Sequence, residues 1–343
     1  FLLFVMSLSF EMFAQDNASI PSSYNPHDLF APIEYPMLDA STRAASGSPN
    51  TGYWQNKADY KIDVTFDDIN RIIIGTVNIR YQNNSPLDLS YLWLQLDQNL
   101  FNRSSRGQLR MPANVRSRYG DASKPFDGGF TLISVETGSE KKASDYIVND
   151  TRMQIRLESP LQAKGGVTNI VINYSYQIPE YGADRFGIMK TNAGDVFTIA
   201  QWYPRMCVYD DVSGWNTDPY LGPSEFYLEY GDFEFNITAP ENHIVAAGGV
   251  LLNPTEVLTA EQMKRLSAAK ESDKTVYIRT SEEVAASAKL SKKSGTKTWR
   301  FSMKNARDVS WASSAAFIWD AARIQLPSGK TALAMSFYPK ESK

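Results

Sequence analysis

Cysteine and histidine are nearly absent from this chain. Its 343 residues include one cysteine, Cys207, and two histidines, His27 and His243. A single cysteine excludes an internal disulfide and a zinc site built from several cysteines. A Ser-His-Asp or Cys-His pair would have to use one of two histidines that lie far apart in the sequence, and we interpret both as surface or turn residues. We therefore predict no catalytic residue and no metal ligand in this chain.

Other signatures of a defined chemistry are missing as well. The sequence has no glycine-rich phosphate loop and no G-x-S-x-G nucleophile motif. Its 35 basic and 38 acidic residues give a net charge of -3, so no basic field is available to attract nucleic acid, and no nucleic-acid partner is predicted. Residues 210–218, DDVSGWNTD, offer oxygen ligands for calcium, but they do not match the EF-hand spacing. An Asx turn is the simpler interpretation.

Long apolar runs are also lacking. The first ten residues, FLLFVMSLSF, are too few to span a bilayer and match the central part of a secretion signal. We predict that residues 1–14 are a signal-peptide remnant and that the protein is exported, to the periplasm or outside the cell. A buried N-terminal strand is the alternative. No cysteine follows the run and no other segment approaches 18 apolar residues, so we predict no stable membrane anchor.

What the chain does contain is a series of alternating patterns that favour β-strands. Residues 15–52 are rich in Ser, Pro and Asn and are predicted to be an extended segment. After them, residues 60–66 and 77–81 alternate apolar with polar side chains on either side of a DDIN turn, which predicts a hairpin. SYLWLQL, residues 90–96, is predicted to be buried on both faces. Residues 102–130 are predicted to be a long polar loop. The whole pattern predicts an all-β fold, either a β-sandwich or a saddle-shaped assembly of several sheets.

One helical excursion interrupts the strands, at about residues 254–298. Thr259 stands three residues before Gln262, which is the spacing of a capping box, and a Lys-rich run follows. This predicts a short surface helix. Residues 282–290, EEVAASAKL, fit either a second helical turn or a loop.

Several long stretches of the chain, in order, resemble one family. They are ADYKIDVTFD, IIGTVNIRYQNNSPLDLSYLWLQLDQNLF, QWYPRMCVYDD, GWNTDPYLGPSEFYLEYGDFEFNITAP, HIVAAGGVLLNP and NARDVSWASSAAFIWD. Over residues 53–340 they resemble the N-terminal domain of the HExxH zinc aminopeptidases, the alanyl and leucyl aminopeptidase family that includes leukotriene hydrolase. The layout is most similar to the secreted bacterial branch.

The resemblance implies a saddle-shaped β domain that packs on a thermolysin-like catalytic domain. In the family, that second domain holds the zinc through HExxH and a distant Glu, and it grips peptide substrates through a GxMEN loop. Neither motif occurs here. We expect the catalytic domain, with its zinc, to begin shortly after residue 343, because the chain stops abruptly after a strand and begins without Met. The chain alone is then expected to be inactive, with its own catalytic domain and peptide substrates as partners.

One site residue follows from the resemblance. In the family, a Gln or Glu of the N-terminal domain binds the free α-amine of the substrate, and AQWYP places Gln201 in this role. A Gln that satisfies buried backbone groups is the alternative. Trp202 and Tyr203 are interpreted as packing residues, Cys207 and Trp215 as core, and Arg205 as the partner of one of the aspartates that follow it.

A second function from another class stays open. The chain could be a stand-alone secreted β-sandwich module that binds carbohydrate or protein, with surface Tyr and Trp side chains stacked on sugar rings. Alternation of aromatic and polar residues along strands is more typical of a core face. Reading the gene beyond codon 343 separates the two hypotheses, since an HExxH motif within about 150 residues identifies the enzyme.

Overall fold

The computed structural model describes residues 41–44, 46–110, 116–117, 120–121, 126–179, 185–223, 226–289 and 295–342. The predicted signal remnant, most of the extended segment and His27 lie outside these ranges. The chain divides into two compact units, Phe1–Gly52 and Tyr53–Lys343. In the first unit, a bridge between Arg43 and Pro49 closes a turn around Gly47, whose φ of 82° suits glycine. No helix among the described residues is long and apolar enough to cross a membrane.

The second unit is built from strands with few helices. In chain order the strands are β1 Lys57–Asp67, β2 Ile72–Asn83, β3 Leu89–Gln95, β4 Arg116–Ser117, β5 Gly120–Asp121, β6 Thr131–Thr137, β7 Lys142–Ala143, β8 Asp145–Asn149, β9 Arg152–Leu161, β10 Gly166–Gln177, β11 Gly187–Met189, β12 Val196–Ile199, β13 Arg205–Met206, β14 Tyr209–Asp210, β15 Gly214–Trp215, β16 Gly231–Pro240, β17 Ile244–Ala247, β18 Val250–Leu251, β19 Val276–Arg279, β20 Thr296–Ala306, β21 Trp311–Ser314, β22 Ile318–Gln325 and β23 Thr331–Tyr338. The α-helices are α1 Arg106–Leu109, α2 Pro254–Val257, α3 Ala260–Lys270 and α4 Ser281–Ala288, and 3-10 turns occupy Asp97–Phe101 and Lys340–Ser342.

The largest sheet has eight strands in the order β18-β20-β16-β1-β2-β10-β6-β7. The predicted hairpin is confirmed, since β1 and β2 pair antiparallel up to Asp67 opposite Ile72. Asp67 closes the turn because its Oδ1 accepts hydrogen bonds from the backbone of Ile69 and Asn70. In β1, every second residue from Ala58 to Phe66 is buried, so the alternation read from the sequence marks the core face.

Smaller sheets surround this one. Two have four strands, β11-β12-β21-β17 and β13-β3-β9-β8, one has three, β19-β22-β23, and two are strand pairs, β14-β15 and β4-β5. Buried aliphatic and aromatic side chains from these sheets form a single core cluster that includes Trp202, Trp299, Phe233 and Phe235. The predicted all-β, multi-sheet class is therefore confirmed.

The excursion contains more helix than the sequence predicted. The capping box of α3 is confirmed, since Thr259 Oγ1 accepts from the backbone of Gln262 and Gln262 Oε1 accepts from the backbone of Thr259. The second segment, left open between a turn and a loop, is helix α4, with its own capping box between Thr280 and Glu283. Ala269 is the buried residue of α3, so this helix lies on the surface as predicted.

Two expectations are wrong in part. Strand β3 is not buried on both faces, because Tyr91 is 42% exposed and Trp93 half-buried while Leu92 and Leu94 are fully buried. Its outer face is incompletely covered. The predicted polar loop of residues 102–130 also contains structure, namely the short helix α1, capped by Ser105, and the strand pair β4-β5.

Candidate functional site

Gln201 lies between β12 and β13 with an unusual backbone. Its φ is 54°, in the left-handed region that non-glycine residues rarely occupy. Gln98 Nε2 donates a hydrogen bond of 2.9 Å to the Gln201 carbonyl oxygen, and Gln201 is 5% exposed. Strained backbone of this kind persists only where the surroundings hold it, and it clusters at functional sites. The structure therefore constrains the backbone of Gln201, while its amine-binding role stays a prediction.

The residues after Gln201 are fixed by packing and hydrogen bonds. Trp202 and Tyr203 are fully buried, as interpreted from the sequence. The Trp202 indole donates to the Val309 carbonyl at 2.8 Å, and the Tyr203 hydroxyl donates to Asp308 Oδ1 at 2.6 Å. Buried Trp and Tyr side chains stabilise a fold best when their polar atoms find such partners. These contacts explain how the segment tolerates the strain at Gln201.

Arg205 does not pair with the aspartates that follow it, so that prediction is wrong. Its guanidinium donates to Asp97 Oδ2 at 3.0 and 2.6 Å and to Asp308 Oδ2 at 2.7 Å, and the Phe226 ring lies 4.4 Å from it. Arg205 and Asp97 are each 1% exposed. Burial alone would lower the pKa of Arg205, but Asp97 and Asp308 outweigh it and the pKa is raised. Arg205 therefore joins its own segment to two others that are distant in sequence, at Asp97 and Asp308.

Asp210 forms the predicted Asx turn instead. Its Oδ1 accepts from the backbone of Val212 and Ser213 at 3.0 and 2.8 Å. Its Oδ2 accepts from Asn216 at 3.0 Å and from the Tyr227 hydroxyl at 3.1 Å. Both carboxylate oxygens of Asp210 are thus already engaged within the protein.

Metal chemistry does not fit the part of the chain that the structure describes. Within it, no group of three or more His, Cys, Asp or Glu side chains could hold a metal ion. Zinc, which the resemblance implies for the parent enzyme, therefore has no ligand set among these residues.

Cys207 and His243 form no reactive pair. Cys207 is fully buried, as predicted, and burial raises its pKa to about 12, so the thiol stays protonated at neutral pH. His243 lies in the turn between β16 and β17, as predicted, but its ring is buried and not at the surface. Its Nδ1 lies 2.9 Å from Ser313 Oγ and its Nε2 lies 3.9 Å from Asp68 Oδ2. Because Ser313 is fully buried, its hydroxyl is not open to a substrate.

Glu229 is a feature that the sequence analysis missed. It is 7% exposed, its Oε1 has no hydrogen-bond partner among the described residues, and the backbone N–H of Tyr209 donates to its carboxylate. Burial, and then the negative charge of Asp210, raises the pKa of Glu229 to about 8. An acidic residue inside the aromatic run FYLEY was the signal available in the sequence.

Aromatic rings continue from Glu229 toward the surface. Trp54 stacks on Tyr209 with ring centroids 5.6 Å apart, and Tyr209 lies 5.1 Å from Trp215. Trp215 was expected in the core, but it is only half-buried and stacks on Tyr81. Tyr227, at the outer side, is 50% exposed. The result is a group of aromatic rings, partly open to solvent, beside a buried carboxylate.

Comparison with known proteins finds a distant likeness to solved structures. No protein-family model and no curated protein matches the chain. Among solved structures, it is similar to an M1 zinc metallopeptidase from Deinococcus radiodurans, at 11% identity and a TM-score of 0.42. A variant of that peptidase bound to a Tyr-Ser-Ala substrate gives 11% identity and a TM-score of 0.43. In both cases the match covers 88% of this chain and 51% of the other, so the chain spans about half their length. A likeness at this identity and TM-score says nothing about function.

Proposed function

We propose that this chain is the non-catalytic N-terminal domain of an exported zinc aminopeptidase. In this role it forms one wall of the peptide cleft and helps bind the free α-amine of the substrate. The observation that carries the proposal is the constrained backbone of Gln201, in the AQWYP segment that resembles the amine-binding segment of that family. The all-β, multi-sheet fold of the second unit agrees with the domain implied by the resemblance.

The chemistry of an amide suits this role. Its carbonyl oxygen accepts a hydrogen bond from an ammonium group, and a charge-assisted bond of this kind is about twice as strong as a neutral one. A left-handed backbone at a non-glycine residue costs about 1 kcal/mol or more. Gln98 and Trp202 hold this backbone in place through their hydrogen bonds to Gln201 and Val309.

Hydrolysis itself is assigned to the domain expected after residue 343. Of the groups near Gln201, Asp97 and Asp308 pair with Arg205, and Cys207 is buried and protonated. The zinc is proposed for that other domain, and the residues of this chain contribute binding and orientation.

The test uses the full-length gene product with Gln201→Ala. Loss of the amide should lower kcat/KM for aminoacyl-arylamides by about tenfold or more, since a hydrogen bond to a charged group is removed. Gln177→Ala, at an exposed end of β10, is the matched control and should leave turnover unchanged. Gln201→Glu, which still accepts from an ammonium, should keep most of the activity. Equal rates for the Gln201→Ala and Gln177→Ala variants would remove Gln201 from the substrate site.

A stand-alone sugar-binding module finds less support. Of the seven tryptophans, Trp202, Trp299, Trp311 and Trp319 are buried in the core and the other three are half-buried. Most of the large aromatic surface is thus used to stabilise the fold and is not presented as a platform for sugar rings.

A further inference from the structure

The buried carboxylate of Glu229 lacks the partners that such a group requires. Buried charged oxygens are normally hydrogen-bonded, and an exception in a folded protein calls for an explanation. The Tyr209 backbone N–H satisfies part of this carboxylate, while Oε1 is buried and has no partner among the described residues. Glu229 Oε1 can therefore accept a hydrogen bond from a further donor.

Among the described residues, the charge that acts on Glu229 is negative. The charge that perturbs it is that of Asp210, a second carboxylate. Nearby arginines are engaged with other groups: Arg205 pairs with Asp97 and Asp308, and Arg307 lies over the Tyr230 ring, 4.6 Å from its centroid. The negative charge of Asp210 raises the pKa of Glu229, and the same negative potential attracts a cation.

Aromatic residues adjoin these two carboxylates. Tyr209, whose backbone N–H donates to Glu229, directly precedes Asp210 in the chain. Trp54 stacks on Tyr209, and Trp215 packs against Tyr209 with its ring tilted by 51°. The Tyr227 hydroxyl donates to Asp210. Tyr227 lies two residues before Glu229 in the chain. Burial, followed by Asp210, raises the pKa of the Tyr227 hydroxyl. Aromatic faces attract organic cations through their quadrupoles, most strongly when water is excluded. Hard metal ions instead require several oxygen ligands, which these residues do not provide.

We propose that these residues form a binding site for an organic ammonium ion, as carried by a lysine side chain or a small alkylamine. The residues of this Glu229 site are Trp54, Tyr209, Asp210, Trp215, Tyr227 and Glu229. The ammonium donates to Glu229 Oε1 and lies against the aromatic faces, with Asp210 as the second anion. Tyr227 is 50% exposed, so this side of the site faces solvent. The inference does not depend on the peptidase proposal, because it uses a different set of residues.

Tryptophan fluorescence of the intact protein provides the test, since Trp54 and Trp215 belong to the site. At about pH 9, where Glu229 is ionised, n-butylammonium chloride should quench the fluorescence saturably, with half-saturation in the millimolar range expected for a small ligand. Potassium chloride at equal ionic strength and n-butanol, which has the same length but no charge, should not. Absence of a saturable signal with n-butylammonium, or an equal signal with n-butanol, would overturn the proposal.

Variants identify the residues that bind. Glu229→Gln keeps the shape of the side chain and should weaken n-butylammonium binding by about tenfold or more. Glu234→Gln, at a carboxylate that is 54% exposed on β16, is the matched control and should bind as the wild type does. Wild-type affinity in the Glu229→Gln variant contradicts the proposal. If that variant does not unfold cooperatively, Trp54→Leu decides: it leaves both carboxylates intact and should bind about threefold or more weakly.

A second ligand distinguishes a lysine side chain from a free small amine as the natural source of the ammonium. Nα-acetyl-lysine amide carries the same alkylammonium on a peptide backbone. Tighter binding than n-butylammonium indicates a lysine side chain of a peptide or protein, and equal binding indicates a free small amine. Failure of both ligands to compete with each other would contradict a single shared site.

Discussion

Burial of Glu229 couples the stability of the fold to pH. Its pKa is raised to about 8 in the folded protein, so between the ordinary glutamate pKa and about 8 the folded state binds more protons than the unfolded state. Its contribution therefore makes stability fall as pH rises through this window. Glu229→Gln removes this cost and should raise the free energy of unfolding by a few kcal/mol at about pH 9 relative to wild type, with little gain at about pH 4.

Urea denaturation at the two pH values measures this difference. Glu234→Gln serves again as the control, and its effect should be small at both pH values because its carboxylate is exposed. A gain for Glu229→Gln of the same size at both pH values would show that its charge is not the cause.

Arg205 ties residues that are far apart in the sequence, and its removal should be costly. Arg205→Met leaves Asp97 buried and unpaired, which should destabilise the fold by about 3–5 kcal/mol in chemical denaturation. Asp308→Asn should cost less, since the Asp308 side chain is 32% exposed and water can replace the lost contact. Adding Asp97→Asn to Arg205→Met should recover part of the loss. Equal effects of Arg205→Met and Asp308→Asn would contradict this ranking.

For single residues, the sequence predicts which side chains are buried better than it predicts which residues they contact. Tyr203 was interpreted as a packing residue and Cys207 as core, and the structure confirms both. The partners of Arg205 could not be predicted, because Asp97 and Asp308 lie more than a hundred residues away on either side. Local aspartates are nearer in sequence, but the turn at Asp210 uses its own oxygens.

At the scale of single elements, the two capped helices of the excursion allow a direct test. Thr259→Ala in α3 and Thr280→Ala in α4 each remove an N-cap, and each should cost about 1 kcal/mol in thermal or chemical unfolding. Ser267→Ala, at an exposed position inside α3, should be neutral or slightly stabilising. If Thr259→Ala and Ser267→Ala have the same effect, the cap contributes nothing.

The same elements show what local patterns can predict. The Thr-x-x-Gln spacing before α3 was sufficient to predict that helix. The equivalent signal before α4 combines Thr280 with Glu283, and Thr280 lies outside residues 282–290, for which a helical turn or a loop was predicted. Strand β19, with four residues, was too short to show a periodic pattern, and it forms by pairing with β22. Short strands of this kind are selected by their tertiary contacts.

At the scale of the whole molecule, the class of fold was predictable and the pairing of its strands was not. Alternation along the chain gives an all-β fold of several sheets. The parallel pairing of β1 with β16 joins Tyr60 to Phe233, and no local pattern in either strand specifies the other as its partner. Gly231, at the start of β16, packs so closely against the backbone of Ala58 that a Cβ there would clash, and this contact also becomes visible only in the folded chain.

Our main proposal is that this chain is the substrate-side domain of a zinc aminopeptidase. The most direct test is hydrolysis of aminoacyl-arylamides by the full-length gene product and by residues 53–343 alone, each assayed before and after metal chelation. The account predicts turnover by the full-length protein that is lost on chelation and restored by zinc, and no turnover by residues 53–343. Absence of aminopeptidase activity in the full-length protein, or turnover by residues 53–343 themselves, would contradict it.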